Sequence, residues 1–273
     1  MGRVCRQVGR TGAGLGAGRA GAGLGAGFHT VPPAQAQIGV WGACSDRGQP
    51  HPGTQFAPDA MRAAGLLAPL AATHQVTDHG DLVADCGVER QVGVARFGRA
   101  VAERVGAVLG AGQLCVTLGG DHSVALGTLA ASLAHDPDCC VLWVDAHADI
   151  NTVSGSSSGN MHGMPVSFNI PALVEQFPHP AELDWLVPRL DPARLAYIGL
   201  RDVEPREKES LARLGITAFF MSDVDRLGLA RVTEAALASV DPAACRNIHL
   251  RNTIITYWQN QLHNIVALQV ATK

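Results

Sequence analysis

The stretch 141–165, VLWVDAHADINTVSGSSSGNMHGMP, limits the possible folds of this chain more than any other segment. Val141, Leu142, Trp143 and Val144 make an apolar run too short for a helix, so they read as a buried strand. Asp145, His147 and Asp149 follow at alternate positions. In an extended segment alternate side chains share a face, so all three donors point one way; a helix would swing His147 aside. Read as a strand, the run delivers its donors at a carboxyl end, where open α/β sheets bind ligands.

The flanking chain supplies the rest of such a fold. Strands are expected at 38–41, 114–118, 139–144, 195–199, 216–221 and 247–250. Helical character is expected at 59–72, 91–109, 124–133, 206–214 and 229–239. Between 91 and 109, Val94, Phe97, Val101, Val105 and Val108 recur at helical spacing. Strands alternating with helices need crossover connections, which implies a mostly parallel sheet covered on both faces, a three-layer α/β/α domain over 37–250. Residues 1–36 are different in kind: GAGLGAG occurs at 12–18 and again at 21–27, and ordering so much glycine costs backbone entropy. Gly16, Gly18 and Gly21 have dinucleotide-fingerprint spacing, but no strand precedes them and no amphipathic helix follows, so that reading fails. Arg3, Arg6, Arg10 and Arg19 precede the first acidic residue, Asp46. An acid-free, arginine-bearing start reads as a mitochondrial transit peptide, the alternatives being a flexible tail and a cytoplasmic protein.

Composition removes other classes. A net charge of −3 gives no electrostatic reason to expect nucleic acid or an anionic membrane as partner. No apolar run reaches the roughly 18 residues a bilayer crossing needs. The 7 cysteines are scattered without a C-x-x-C pair, which fits reduced thiols better than a disulfide framework or a zinc ribbon.

A fourth donor, His122, follows the strand at 114–118. If that strand neighbours the one ending at Val144, two imidazoles and two carboxylates converge at one sheet edge. A single Asp or His after a strand usually caps a helix or bonds a loop. Four such residues point instead to an ion: oxygen and nitrogen donors without thiolate favour Mn²⁺, with Zn²⁺ or Fe²⁺ compatible. Asp145 has the means to bridge a pair of ions roughly 3.5–4 Å apart that share and deprotonate a water, the plan of a two-metal hydrolase. Residues 151–164 are dense in small polar groups, read either as a solvated linker or as a bank of donors for a ligand carboxylate. His162 within it is placed to shuttle protons.

Together these residues resemble a known family. GGDHS at 119–123, VDAHADIN at 144–151 and SGNMHGMPVSF at 158–168 are similar to the ureohydrolases, and the SGN-x-HG run resembles arginase in particular. Further segments agree in the same order: GQPHPGTQFAPDAMRAAGL ending at 66, HGDL at 79–82, YIGLRDVEP at 197–205 and MSDVDRLG at 221–228. The resemblance implies hydrolysis of L-arginine to L-ornithine and urea at a dinuclear manganese centre, commonly in a homotrimer. It makes His122 and Asp149 ligands of one Mn²⁺, His147 a ligand of the other and Asp145 the bridge. His162 matches the acid–base histidine. Asn151, Ser158 and Asn160 match positions that hold the substrate's α-carboxylate, while Glu204 and Glu207 match acidic residues near its α-amino group. Agmatinase-like enzymes share the metal motifs, but their substrates lack the carboxylate that such a polar bank would hold.

The likeness breaks after the strand at 247–250. Where the family carries an aspartate-rich metal motif, this chain reads RNTIITY at 251–257, and no Asp or Glu occurs after Asp241. The expectation is therefore a truncated family member with a divergent tail, 251–273, that covers the sheet edge or promotes association. Fewer carboxylates predict weak or single-ion binding and little turnover. The rival function is a non-catalytic binding subunit.

Overall fold

The computed structural model describes residues 35–175, 181–240, 247–254 and 264–271. The glycine-rich amino-terminal segment, with its expected transit peptide, lies outside them. Among the described residues, eight strands form one sheet: β1 (Gln37–Cys44), β2 (Gln75–Val83), β3 (Leu114–Gly119), β4 (Cys140–Val144), β5 (Leu195–Leu200), β6 (Thr217–Phe220), β7 (Asn247–Ile254) and β8 (Asn264–Ala271). The spatial order is β2-β1-β3-β8-β7-β4-β5-β6. All neighbours run parallel except β8, which is antiparallel to both β3 and β7.

Alternation along the strands builds the layers, because successive side chains face opposite sides of a sheet. Trp41, Ala43 and Cys115 pack with Phe97, Val101, Val105 and Val108 of α3 (Arg90–Gly110) and Val124 of α4 (Val124–His135). Their strand neighbours Ile38, Val40, Val116 and Leu118 face the other way, onto Ala57 and Met61 of α1 (Ala57–Ala63) and Leu67 and Leu70 of α2 (Leu67–Thr73). In the other half, Val141, Trp143, Leu195 and Tyr197 meet Leu129 and Leu133 of α4. After the short α5 (Pro171–Val174), α6 (Pro205–Leu214) adds Leu211 to the same cluster. Leu142 and Ile198 turn oppositely; beyond α7 (Met221–Leu227) they meet Val232 and Ala236 of α8 (Leu229–Ser239). Helices thus cover both faces, the expected three-layer α/β/α arrangement. Among the described residues, no helix is long and apolar enough to cross a membrane.

Several expectations need correction. The helix expected at 59–72 is two helices, because Gly65 adopts φ +85°, a left-handed conformation that ends α1. No strand is expected where β2 lies: Asp78, His79, Gly80 and Asp81 interrupt any apolar alternation, as an exposed edge strand permits. β3 and β4 are not neighbours, since β8 and β7 lie between them. Adjacency of successive strands is a tendency, and pairing partners from distant sequence override it. Part of the tail expected to cover a sheet edge supplies β8, which lies inside the sheet. Cys44, Cys86, Cys115 and Cys139 are free thiols, but Cys140 is disulfide-bonded, a tertiary approach that spacing along the chain does not reveal.

Candidate metal centre

β4 stops at Val144, so Asp145, His147 and Asp149 lie in the loop beyond it and not on an extended strand. Their common direction therefore does not come from simple alternation. Asp149 has φ +49°, which turns the loop back on itself. Four bonds hold that loop over the sheet. Asp145 N–H donates to Ile198 O (3.0 Å), and Ala146 O accepts from Arg201 N (2.9 Å) and Asp202 N (3.0 Å). The Tyr197 hydroxyl donates to Ala148 O (2.7 Å), between His147 and Asp149 in sequence. Tyr197 is fully buried, and its ring meets Trp143 edge-on at 6.4 Å. Burial pushes the Tyr197 hydroxyl well above its ordinary pKa, so it stays a donor.

His122 crosses the gap left by the intervening strands from its own loop, between the end of β3 and the start of α4. Its Nδ1 lies 2.6 Å from Asp149 Oδ2 and 3.3 Å from Asp145 Oδ2. All three residues are buried, and one ligand atom from each lies within 4.8 Å of the others. This is the one group of its kind among the described residues. Two buried carboxylates beside one imidazole carry more negative charge than that imidazole offsets, even when protonated. Compact, oxygen-rich and lacking thiolate, the donor set fits a hard or borderline dication such as Mn²⁺.

His147 lies at the edge of this group. Its Nδ1 is 3.6 Å from Asp145 Oδ1, while Nε2 faces Asp202 Oδ2 at 3.4 Å. The Asp145 carboxylate beside it raises its pKa to about 9, with Asp149 and Asp202 adding to the effect against desolvation.

The polar segment after Asp149 is tied back at both ends. Asn151 N–H donates to Gly163 O (3.0 Å), Val166 N–H to Asp149 O (3.1 Å), and the Ser167 hydroxyl to Asn151 O (2.6 Å). These bonds return His162 to the mouth of the metal loop. His162 Nδ1 lies 3.0 Å from Gly48 O. A carbonyl only accepts, so Nδ1 carries the hydrogen and the neutral ring keeps its lone pair on Nε2.

Asn151 is buried and its Oδ1 has no hydrogen-bond partner among the described residues. Ser158 and Asn160 turn within their own loop: Ser158 Oγ accepts from Asn160 N (3.3 Å) and lies 3.4 Å from Ser156 Oγ. Glu204 stands at the start of α6. Glu207 is buried, its oxygens accepting from Ile150 N (3.1 Å) and Glu204 N (3.0 Å), so it braces α6 against the metal loop. Burial pushes the Glu207 carboxyl up to about 7 despite those two bonds.

A cavity of about 320 Å³ opens between the loop and α6, lined by Asn151, Thr152, Ser154, Arg206, Glu209 and Arg213 among others. A second, of about 370 Å³, shares Ser154 and Arg206 and adds Ser156, Ser157 and Glu204. Ser158 and Asn160 line neither. Sequence reading missed Arg206, whose Nη1 donates to Ser154 O at 3.0 Å. The helical spacing of 206, 209, 210 and 213 was the available signal. It also missed Gly48, Asp121 and Tyr197, which resemble ordinary turn and strand residues until their partners are seen.

Residues 36–251 match the sequence model described as Arginase family. A rat protein named "Arginase-2, mitochondrial" (Rattus norvegicus) is 42% identical over 225 residues, 78% of this chain and 63% of that protein. "Arginase-1" of Sus scrofa is 40% identical over 222 residues, 78% of this chain and 69% of that one. Among solved structures, the arginase of Bacillus caldovelox superposes with a TM-score of 0.71 at 34% identity, covering 79% of this chain and 75% of that chain. The chain thus spans just under two thirds of the rat relative's length and slightly more of the pig's.

Proposed function

The chain belongs to the arginase family, and from that premise we propose that it hydrolyses L-arginine to L-ornithine and urea. The observation that carries this reading is the buried His122–Asp145–Asp149 group, with a histidine of fixed tautomer on the loop that closes beside it. His122, Asp145 and Asp149 would hold a Mn²⁺ ion, which when bound would supply the acidity that makes water a nucleophile toward the guanidinium carbon at neutral pH. His147 Nδ1 lies 3.6 Å from Asp145 Oδ1, so it would stand available as a further ligand at the same centre.

The chain's own residues divide the remaining work. Nδ1–H of His162 stays on Gly48 O, so proton exchange with substrate and leaving amine falls to Nε2. Asn151 and the serines at 154, 156 and 157 present dipoles to the substrate's α-carboxylate, and Arg206 adds a full positive charge there. Glu204, which lines the second cavity, faces the α-ammonium group. Glu207 positions Ile150 and Glu204 beside the place of the α-ammonium group.

The test is urea release from L-arginine after incubation with Mn²⁺, comparing wild type with His162→Ala. Loss of about 100-fold or more in the variant is expected of a general acid–base group. Equal background rates in the two proteins would remove the catalytic assignment. Hydrolysis of agmatine in place of arginine would redirect it to an agmatinase-like substrate. A second reading, a non-catalytic subunit that binds ion without turnover, is favoured by the absence of Asp and Glu after Asp241. It requires Mn²⁺ retained in equilibrium dialysis with no urea formed. A homotrimer and a mitochondrial address follow from the family resemblance and the acid-free amino terminus. Light scattering and cell fractionation check them, with a cytoplasmic protein as the contrary outcome.

A further inference from the structure

We propose that Asp121 is a positioning residue that fixes which nitrogen of His162 exchanges protons; this rests on reading His162 as the acid–base group. Asp121 is buried, and its two carboxylate oxygens serve different parts of the chain. Oδ1 accepts from Ser123 N (2.8 Å), the local bond that any Asp would make at the start of α4. Oδ2 accepts from Gly48 N (2.9 Å), a residue 73 positions away. Capping α4 does not require that second bond.

What the second bond holds is the acceptor for His162. Gly48 O receives both His162 N–H (3.1 Å) and His162 Nδ1–H (3.0 Å). One small residue is therefore pinned on its amide side by Asp121, while its carbonyl pins the imidazole. The approach is close enough to exclude a side chain: a Cβ on Gly48 would lie 2.2 Å from Asp121 Oδ1. The same turn is anchored once more, by Asp121 N–H donating to Ser45 O at 2.9 Å, where a Cβ on Gly120 would come within 2.0 Å of that oxygen. An imidazole free in water has no such constraint and exchanges tautomers. Here the carbonyl selects the Nδ1–H form, and the carboxylate behind it keeps the carbonyl aimed.

The experiment is a long-range ¹H–¹⁵N correlation spectrum of the full chain at alkaline pH, with the His162 signals assigned by difference against His162→Gln. Wild type should show the Nδ1–H tautomer. Asp121→Ala releases Gly48 from one side, and Gly48→Ala forces it away from Asp121 without replacing the neighbour of His122. Both should move the ring toward the Nε2–H tautomer. Asp46→Asn, on the same turn but outside these bonds, should leave the spectrum unchanged. Where arginine turnover is present, both variants should lower kcat by about 10-fold or more, with KM within about twofold. Retention of the wild-type tautomer in a folded Asp121→Ala protein, or in Gly48→Ala should the first not fold, overturns the proposal. The spectrum needs no turnover, so its failure is distinguishable from a failure of the arginase reading.

Discussion

Replacing Tyr197 by Phe isolates one atom of the support beneath the metal loop. The ring remains, so the packing against Trp143 and the surrounding core is kept, and no cavity larger than a hydroxyl opens. What goes is the 2.7 Å bond to Ala148 O, in a residue with no exposed surface. A buried carbonyl that loses its donor costs about 1–3 kcal/mol, because no water takes its place. For a chain of this size each kcal/mol moves Tm by roughly 2–4 °C, so a fall of roughly 2–12 °C is expected. Ala148 sits between His147 and Asp149, so the slackened loop should also weaken Mn²⁺ binding by about 10–100-fold, as loss of an outer-sphere support does. Urea denaturation gives the first quantity and isothermal titration with Mn²⁺ the second. If Tyr197→Phe costs less than about 0.5 kcal/mol and binds Mn²⁺ like wild type, the hydroxyl does not hold the loop and the account of how the ligands are positioned is wrong.

Two other perturbations probe different parts of the molecule. The Arg62 guanidinium, 2.8 Å from Asp78 and 2.7 Å from Asp81, holds the Asp78 carboxyl below its ordinary range. A carboxyl depressed in the folded state adds stability above its unfolded pKa of about 3.9 and loses it as pH falls through the lower folded value. Asp78→Asn should therefore be less stable than wild type near neutrality by under about 1 kcal/mol, since the pair is partly solvent-screened, and the gap should close on acidification below about pH 4. Denaturation curves across that range decide it; a gap that widens with acid contradicts the pairing. Arg206→Ala should raise KM for L-arginine by about 10-fold with little change in kcat, consistent with loss of a charge-assisted contact to the carboxylate. An unchanged KM in steady-state urea assays would place Arg206 outside the substrate's reach.

Much of the fold was legible because its signals are local. The helix expected at 91–109 is α3 at Arg90–Gly110, since its valines and Phe97 repeat on one face. The strands at 114–118 and 139–144 appear within a residue of expectation, as short apolar runs bounded by Gly and Asp. β2 was not legible, because an edge strand need not alternate, and β8 was not, because its segment mixes apolar and amide side chains without a clear period. The donors themselves could be picked out by residue type and spacing alone. Their shared direction could not be explained that way: the strand ends at Val144, and the turn at Asp149 replaces alternation.

The order of residues by itself determined the layer architecture and the inventory of donors, since periodicity and side-chain chemistry are properties of neighbours along the chain. Tertiary structure alone decided which donors meet. It carried His122 across two intervening strands to Asp149, turned His147 toward Asp202, and set Arg206 over the polar loop. It also brought Gly48, 114 residues from His162, beneath that imidazole. The physical reason is range: a hydrogen bond is won or lost within a few tenths of an ångström, and local sequence places no constraint that fine between segments so far apart.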